Sequence, residues 1–184
     1  AGSAREAVDV ARSVRRQEML RLACGDMLGL ISVRNIARGL SSVAEITIEA
    51  AMRAAITQVT KDRGGFRAAF AVIGMGRLGG GELGYGSDAD VMFVMRTLPG
   101  EDEAEARADA SAVADLMSRL LGRPSPDPPL MIDANLRPEG KNGPLVRPLS
   151  GYQAYWARTA VAWERQALLR ARPIAGDREL GAAF

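Results

Sequence analysis

The sequence has 184 residues, enough for one substantial domain or a core with a helical appendage. Its 47% hydrophobic and 25% charged content exclude extended disorder, and a net charge of +2 is too small to argue for a nucleic-acid or membrane surface. Histidine is absent and Cys24 is the only cysteine, which excludes a Ser-His-Asp or Cys-His nucleophile, a His-ligated metal, an internal disulfide and a CxxC pair. Any chemistry must therefore rest on carboxylates, hydroxyls, Lys and Arg, backbone dipoles and oxygen-ligated metals. Cys24, among Met19, Leu20, Leu22 and Ala23, is expected to be inert core. No signal peptide or membrane-length apolar run is present, so a cytoplasmic protein is expected. A start without Met and an unfinished-looking last helix read as an excised fragment.

In chain order, residues 3–24 carry a helical stripe (Val8, Ala11, Val14, Leu20, Ala23). Ser42-Val-Ala-Glu45 is a capping-box pattern that predicts a helix to about Val59, ended by Gly64-Gly65. Residues 1–65 thus read as a helical segment that packs on a unit spanning 66–184. Ala68–Ile73 predicts a buried strand, Gly74–Gly86 a glycine-dense turn, and Val91–Met95 a second strand entered through Asp88 and Asp90. After Pro99-Gly100, an acidic first turn opens a helix with the stripe Val113, Leu116, Met117, Leu120 and Leu121. Pro124–Pro129 is a loop, Leu130–Leu136 a third strand, and 150–172 two short helices. The fold class is α+β: a short mixed sheet with flanking helices and a helical N-terminal extension.

Asp88-x-Asp90 places two carboxylates on one face of a strand, where they repel unless a cation lies between them. Oxygen-only ligands select Mg²⁺ or Mn²⁺. The glycines just before them, Gly79 to Gly81 with Gly84 and Gly86, expose backbone N–H groups as an anion nest. Together they suit a metal triphosphate. A third carboxylate, to activate an attacking hydroxyl, is offered by Asp133, which on a strand shares a face with Asn135 and Arg137. A half-buried strand with a polar outer face explains that row equally well. Arg137, Lys141 and Arg147 are candidate triphosphate contacts, within a segment from Asn135 to Leu180 where eight basic residues face four acidic ones.

Gly74-Met-Gly76-Arg-Leu-Gly79 fits G-x-G-x-x-G, the dinucleotide-binding fingerprint. That fold needs a helix from the glycines and an acid at the end of the next strand; here more glycines follow and the acids open it. Gly140-Lys141 is followed by Asn142, so no Walker A sequence is present.

The stretch from Gly76 through Gly79-Gly-Gly-Glu-Leu-Gly-Tyr-Gly-Ser-Asp88 to Asp90, with Asp133-Ala-Asn-Leu-Arg-Pro138, Gly143-Pro-Leu-Val146 and Trp163-Glu-Arg-Gln-Ala-Leu-Leu-Arg-Ala-Arg172, resembles the glutamine synthetase adenylyltransferases. These are bifunctional adenylyl-transferring and adenylyl-removing enzymes of the DNA polymerase β-like nucleotidyltransferase superfamily. The resemblance covers roughly Phe66 onward, and Glu82–Asp88 with Arg170–Asp177 looks more like the C-terminal, adenylylating unit. Asn135 departs from the pattern, since many relatives carry Arg there.

The resemblance implies transfer of AMP from ATP to a tyrosine hydroxyl of glutamine synthetase, with pyrophosphate released and nitrogen assimilation controlled. It implies two Mg²⁺ held by Asp88, Asp90 and Asp133, with Asp133 helping to deprotonate the tyrosine. Gly79, Gly80 and Ser87 would contact phosphates, and Arg137 and Lys141 would assist. Partners implied are glutamine synthetase, ATP and a PII-type regulator acting through a longer chain, with no nucleic acid and no membrane. Trp163, Glu164 and Gln166 read first as helix packing with a polar edge. Three alternatives remain open: phosphorolytic AMP removal, a non-catalytic nucleotide-sensing module and, most distantly, a Rossmann oxidoreductase.

Overall fold

A computed structural model describes residues 3–184 of the chain. Ser3 accepts the Glu6 N–H while Glu6 reaches back to the Ser3 N–H, and this capping box opens α1 (Ala4–Met27). Its buried face is Val8, Arg12, Arg15, Leu22 and Gly25. The stripe expected from Val14 and Leu20 is not the buried one; these two are 49% and 65% exposed. Cys24 is exposed as well, a correction to its expected place in the core: the packed face turns through its neighbours Leu22 and Gly25.

α2 (Val33–Arg63) opens at Ser32, which accepts the Asn35 N–H, and ends at Gly64 with φ 74°. Ser42 therefore lies inside the helix, a correction to the expected start. Apolar contacts on the face through Ile36, Leu40, Val43, Ile48 and Ala55 hold a continuous helix across the site where local sequence suggested a cap.

β1 (Ala68–Gly74) is followed by a single helical turn, α3 (Gly76–Gly79), then by β2 (Ala89–Thr97). α4 (Glu103–Gly122) follows, capped by Asp102 accepting the Glu105 N–H. β3 (Ile132–Asp133) and β4 (Val146–Pro148) precede α5 (Leu149–Arg158), α6 (Ala162–Ala167), a 3₁₀ turn Leu168–Arg170, β5 (Arg172–Gly176) and α7 (Arg178–Ala183). The sheet order is β3-β2-β1-β5, with β4 also pairing β2. β1 is antiparallel to both β2 and β5, while β2 runs parallel to β3 and β4. The fold is α+β with a mixed five-strand sheet. An antiparallel β1–β2 pair is incompatible with the parallel βαβ unit of a dinucleotide-binding fold.

Alternation along the strands divides the core into two layers. Phe70, Val72, Val91, Phe93 and Met95 pack with α2 and α4, and this layer extends without a break to Val8 and Leu22 of α1. Ala69, Ala71, Ile73, Met92 and Val94 face Tyr152 and Leu180, with Trp156 and Phe184 stacked around Tyr152. β5 was not foreseen from the sequence. Arg172-Pro-Ile-Ala-Gly176 has a proline and little alternation, and it becomes an edge strand through its pairing with β1.

Candidate active site

Asp90 lies in β2 on the same face as Met92 and Val94, the side covered by the C-terminal helices. Its register partner across the parallel pair is Asp133, with Ala89 opposite Ile132. Ala89 N donates to Met131 O at 2.8 Å, and Met75 N donates to Asp90 O at 2.8 Å. The two hydrogen bonds bring three segments together at one corner: the end of β1, the start of β2, and β3. Asp90 and Asp133 are both half-buried, whereas Asp88 lies before the strand and is exposed.

The Asp90 carboxyl is raised above the usual carboxylate range. Burial is the main cause; repulsion from Asp133 adds to it, Arg77 opposes it, and Asp88 adds a smaller push. This donor set suits a hard divalent cation: oxygens only, with mutual repulsion that a cation would relieve. Asp90 and Asp133 are the residues that would hold it. Among the described residues no three carboxylates close to metal-ligating distance.

Gly76 is fixed by the same corner. Its φ is +51°, and a Cβ there would stand 2.6 Å from Asp90 Oδ2. Arg77 follows it, exposed, and acts electrostatically on Asp90. Neither residue was singled out by sequence reasoning. The signal was present in Gly74-Met-Gly76-Arg, set aside there as a dinucleotide fingerprint; a positive φ after a buried strand is what a second glycine in that pattern permits.

Of the glycines expected as a phosphate nest, Gly79 and Gly80 spend their N–H groups within the fold. Gly79 N donates to Met75 O (2.8 Å) and Gly80 N to Gly76 O (3.1 Å), closing the turn of α3. A Cβ on Gly79 would lie 1.9 Å from the Arg170 carbonyl oxygen, so Gly79 is needed for close packing against the Leu168–Arg170 turn. Ser87 Oγ accepts the Gly84 N–H at 3.1 Å, which tightens the loop while leaving its hydroxyl proton to donate. Tyr85 Oη meets Asp26 at 3.4 Å and Leu83 N donates to Ser41 Oγ at 3.1 Å, tying this loop to α1 and α2.

The third strand is far shorter than Leu130–Leu136. Asp133 Oδ1 accepts the Asn135 N–H at 2.7 Å, a local turn that ends β3 and leaves Asn135 exposed. Arg137 then folds back on its own loop, donating to the carbonyls of Gly143 (3.1 Å), Ala134 (2.8 Å) and Lys141 (3.3 Å). The expected face shared by Asp133, Asn135 and Arg137 is therefore not formed, because side-chain-to-backbone bonds outcompete the extended strand. Lys141 is exposed on the 3₁₀ turn Gly140–Asn142 of that loop. Arg147 sits over the Tyr155 ring and 3.5 Å from Glu139.

β3 is positioned from a distance. Arg12, fully buried, donates to the carbonyls of Leu120 (3.3 Å), Arg123 (2.9 Å) and Asp127 (2.7 Å). Arg15 donates to those of Pro128 (3.2 Å) and Pro129 (3.3 Å), and Arg16 pairs with Asp127 at 2.8 Å. These guanidiniums fix the proline-rich loop that leads through buried Leu130 into β3.

The glutamate-ammonia ligase adenylyltransferase family model matches residues 2–184. The chain belongs to this family. A bifunctional glutamine synthetase adenylyltransferase/adenylyl-removing enzyme of Nocardia farcinica is 56% identical over 179 residues. Proteins of the same name from Mycobacterium avium and Mycobacterium leprae are each 53% identical, over 182 and 178 residues. In each case 97% of this chain is covered, and the chain spans 18% of the relative's length. Among the described residues no helix is long and apolar enough to cross a membrane.

Proposed function

We propose that this chain is a nucleotidyl-transfer unit that moves AMP from ATP to a tyrosine hydroxyl of glutamine synthetase and releases pyrophosphate. The observation that carries the reading is the Asp90–Asp133 register pair, two half-buried carboxylates at a corner bordered by Gly76, where burial and then the Asp133 charge raise the proton affinity of Asp90. The family membership and the names of the relatives support the same reaction class and acceptor protein.

Asp90 and Asp133 would hold Mg²⁺, with Asp88 drawn in from its exposed place before β2 as the ion binds; when bound, the ion supplies charge neutralisation for the triphosphate and the departing pyrophosphate. Asp133 has its Oδ1 engaged by the Asn135 N–H, which leaves Oδ2 to accept the tyrosine hydroxyl proton. The phenolate oxygen bonds to the α-phosphorus as the bond to the bridging α–β oxygen breaks. Gly76, without a side chain, lets the nucleotide lie against Asp90. Ser87 donates its hydroxyl proton, and exposed Arg77 and Lys141 supply positive charge to the phosphates. The Arg137 guanidinium shapes the loop that carries Lys141. A PII-type regulator and a cytoplasmic location go with this reading.

The test is transfer of label from α-labelled ATP to unmodified glutamine synthetase in the presence of Mg²⁺. Label on tyrosine, reduced at least about a hundredfold by Asp90→Asn, is expected. Absence of label from a folded, ATP-binding protein would sink the forward reaction. Phosphate-dependent release of AMP from modified glutamine synthetase would then identify the reverse, adenylyl-removing chemistry that the relatives' names also include.

A further inference from the structure

One cavity shares a residue with the carboxylate corner. Its volume is about 380 Å³, and Gly76, Leu136, Trp163, Gln166, Leu169 and Arg170 line it. Gly76 is also the residue whose Cβ position abuts Asp90 Oδ2, so a ligand resting on Gly76 reaches both places. A larger cavity of about 500 Å³ lies between α2 and β5, where Glu45, Glu49 and Asp177 stand beside Arg53 and Arg178. Its glutamates are already paired, Glu49 with Arg53 and Gly176 N and Glu45 with Arg172, and it shares no residue with the carboxylate corner.

Trp163 is 56% exposed and Leu169 is 84% exposed, so two large apolar side chains are held in water at this cavity. The next residue, about 100° round α6 from Trp163, anchors the helix. Glu164 is buried, accepting from Tyr155 Oη at 2.8 Å and from Val161 N at 2.9 Å. These bonds, with Leu168 of the following turn packed against the Tyr152 layer, anchor α6, and its indole lines the cavity together with Ala167 one helical turn on. Gln166 is exposed and makes no side-chain hydrogen bond among the described residues.

We infer that this cavity is a nucleobase cradle: adenine stacks on the Trp163 indole, the Gln166 carboxamide reads its polar edge, and the phosphates pass over Gly76 toward Asp90. The inference rests on the nucleotidyl-transfer reading. A purine has two apolar faces, which the indole and Leu169 match, and base–aromatic stacking is favourable for every base. Selectivity then falls to the carboxamide. Adenine presents one donor and one acceptor side by side, N6 and N7, which an amide matches with its own acceptor and donor. Guanine presents two acceptors at the same positions, and an amide satisfies only one of them.

Calorimetric titration of the protein with ATP, GTP and inorganic tripolyphosphate, each with Mg²⁺, tests the cradle. Trp163→Ala should weaken ATP about tenfold or more and leave tripolyphosphate binding unchanged, while Trp163→Phe recovers most of the loss. Gln166→Leu should narrow the preference for ATP over GTP. Equal weakening of tripolyphosphate would mean a general structural effect and overturn the assignment, as would ATP binding that Trp163→Ala leaves unaltered. In that last case wild-type ATP binding still stands, so only the cradle fails; a wild-type protein that binds no ATP removes both the cradle and the reaction.

Discussion

The two strands that bring the carboxylates together are held by different means. β2 has nine residues, pairs β1 along seven of them, and lies in the middle of the sheet with Val91, Phe93 and Met95 fully buried. β3 has two residues and one parallel pairing; its place is set by Arg12 and Arg15, more than a hundred residues earlier in the chain. Asp90 is therefore fixed by sheet hydrogen bonds and core packing, and Asp133 by guanidinium clamps on loop carbonyls. The lesson is that α1, which contributes no side chain to the carboxylate corner, is part of the geometry of the candidate site.

Arg12→Met breaks this difference most directly. It leaves up to three buried carbonyls short of a donor and should cost about 3 kcal/mol or more in a denaturant titration. In hydrogen exchange, the amides of Leu130 and Ala89, which bond Leu121 O and Met131 O, should lose protection while Val94 in mid-β2 keeps it. Uniform loss across both strands would show that the sheet depends on the clamp as much as β3 does.

Gly79→Ala acts on the β2 side of the corner. The new methyl group would meet the Arg170 and Gly74 carbonyl oxygens at 1.9 and 2.5 Å, neither of them the end of a flexible side chain. A loss of about 2 kcal/mol is expected, with increased exchange at Ala171, whose N–H closes the Leu168–Arg170 turn. No change in stability would mean that the turn stands off from α3 in solution.

Asp90→Asn sharpens the electrostatic side of the comparison. The folded-state pKa of Asp90 is raised, so the protonated form is favoured in the fold and stability is lost as pH rises through that value. The substitution should therefore raise the denaturation midpoint at pH 7 in metal-free buffer and make little difference below about pH 3, where both states are protonated. A lower midpoint at pH 7 would contradict the burial and the repulsion from Asp133 that raise Asp90. The smallest effect belongs to Tyr85→Phe, which removes an exposed 3.4 Å contact to Asp26 and should shift stability by less than about 0.5 kcal/mol.

Much of this arrangement was legible in the sequence where local pattern and burial agree. β1, β2 and α4 fall close to their expected limits because continuous apolar runs and a 3.6-residue stripe leave few alternatives. Residue type and resemblance singled out Asp88, Asp90 and Asp133, and neither foretold that Asp90 and Asp133 are register partners. The misses differ in cause. Ser42 looked like a cap, but core contacts carry α2 through it; Leu130–Leu136 looked like a strand, but local side-chain bonds of Asp133 and Arg137 end it.

By itself, the sequence determined the α+β class, the absence of histidine and of an internal disulfide, and the family. Tertiary structure alone decided that two arginines occupy the buried face of α1, that Arg137 serves its own loop, and that Gly76 lies against Asp90. It also turned Trp163 toward a cavity that Gly76 shares. The physical reason is that apolar periodicity is written locally, whereas a buried guanidinium or carboxylate takes its role from whichever carbonyls and charges the fold brings within hydrogen-bond reach.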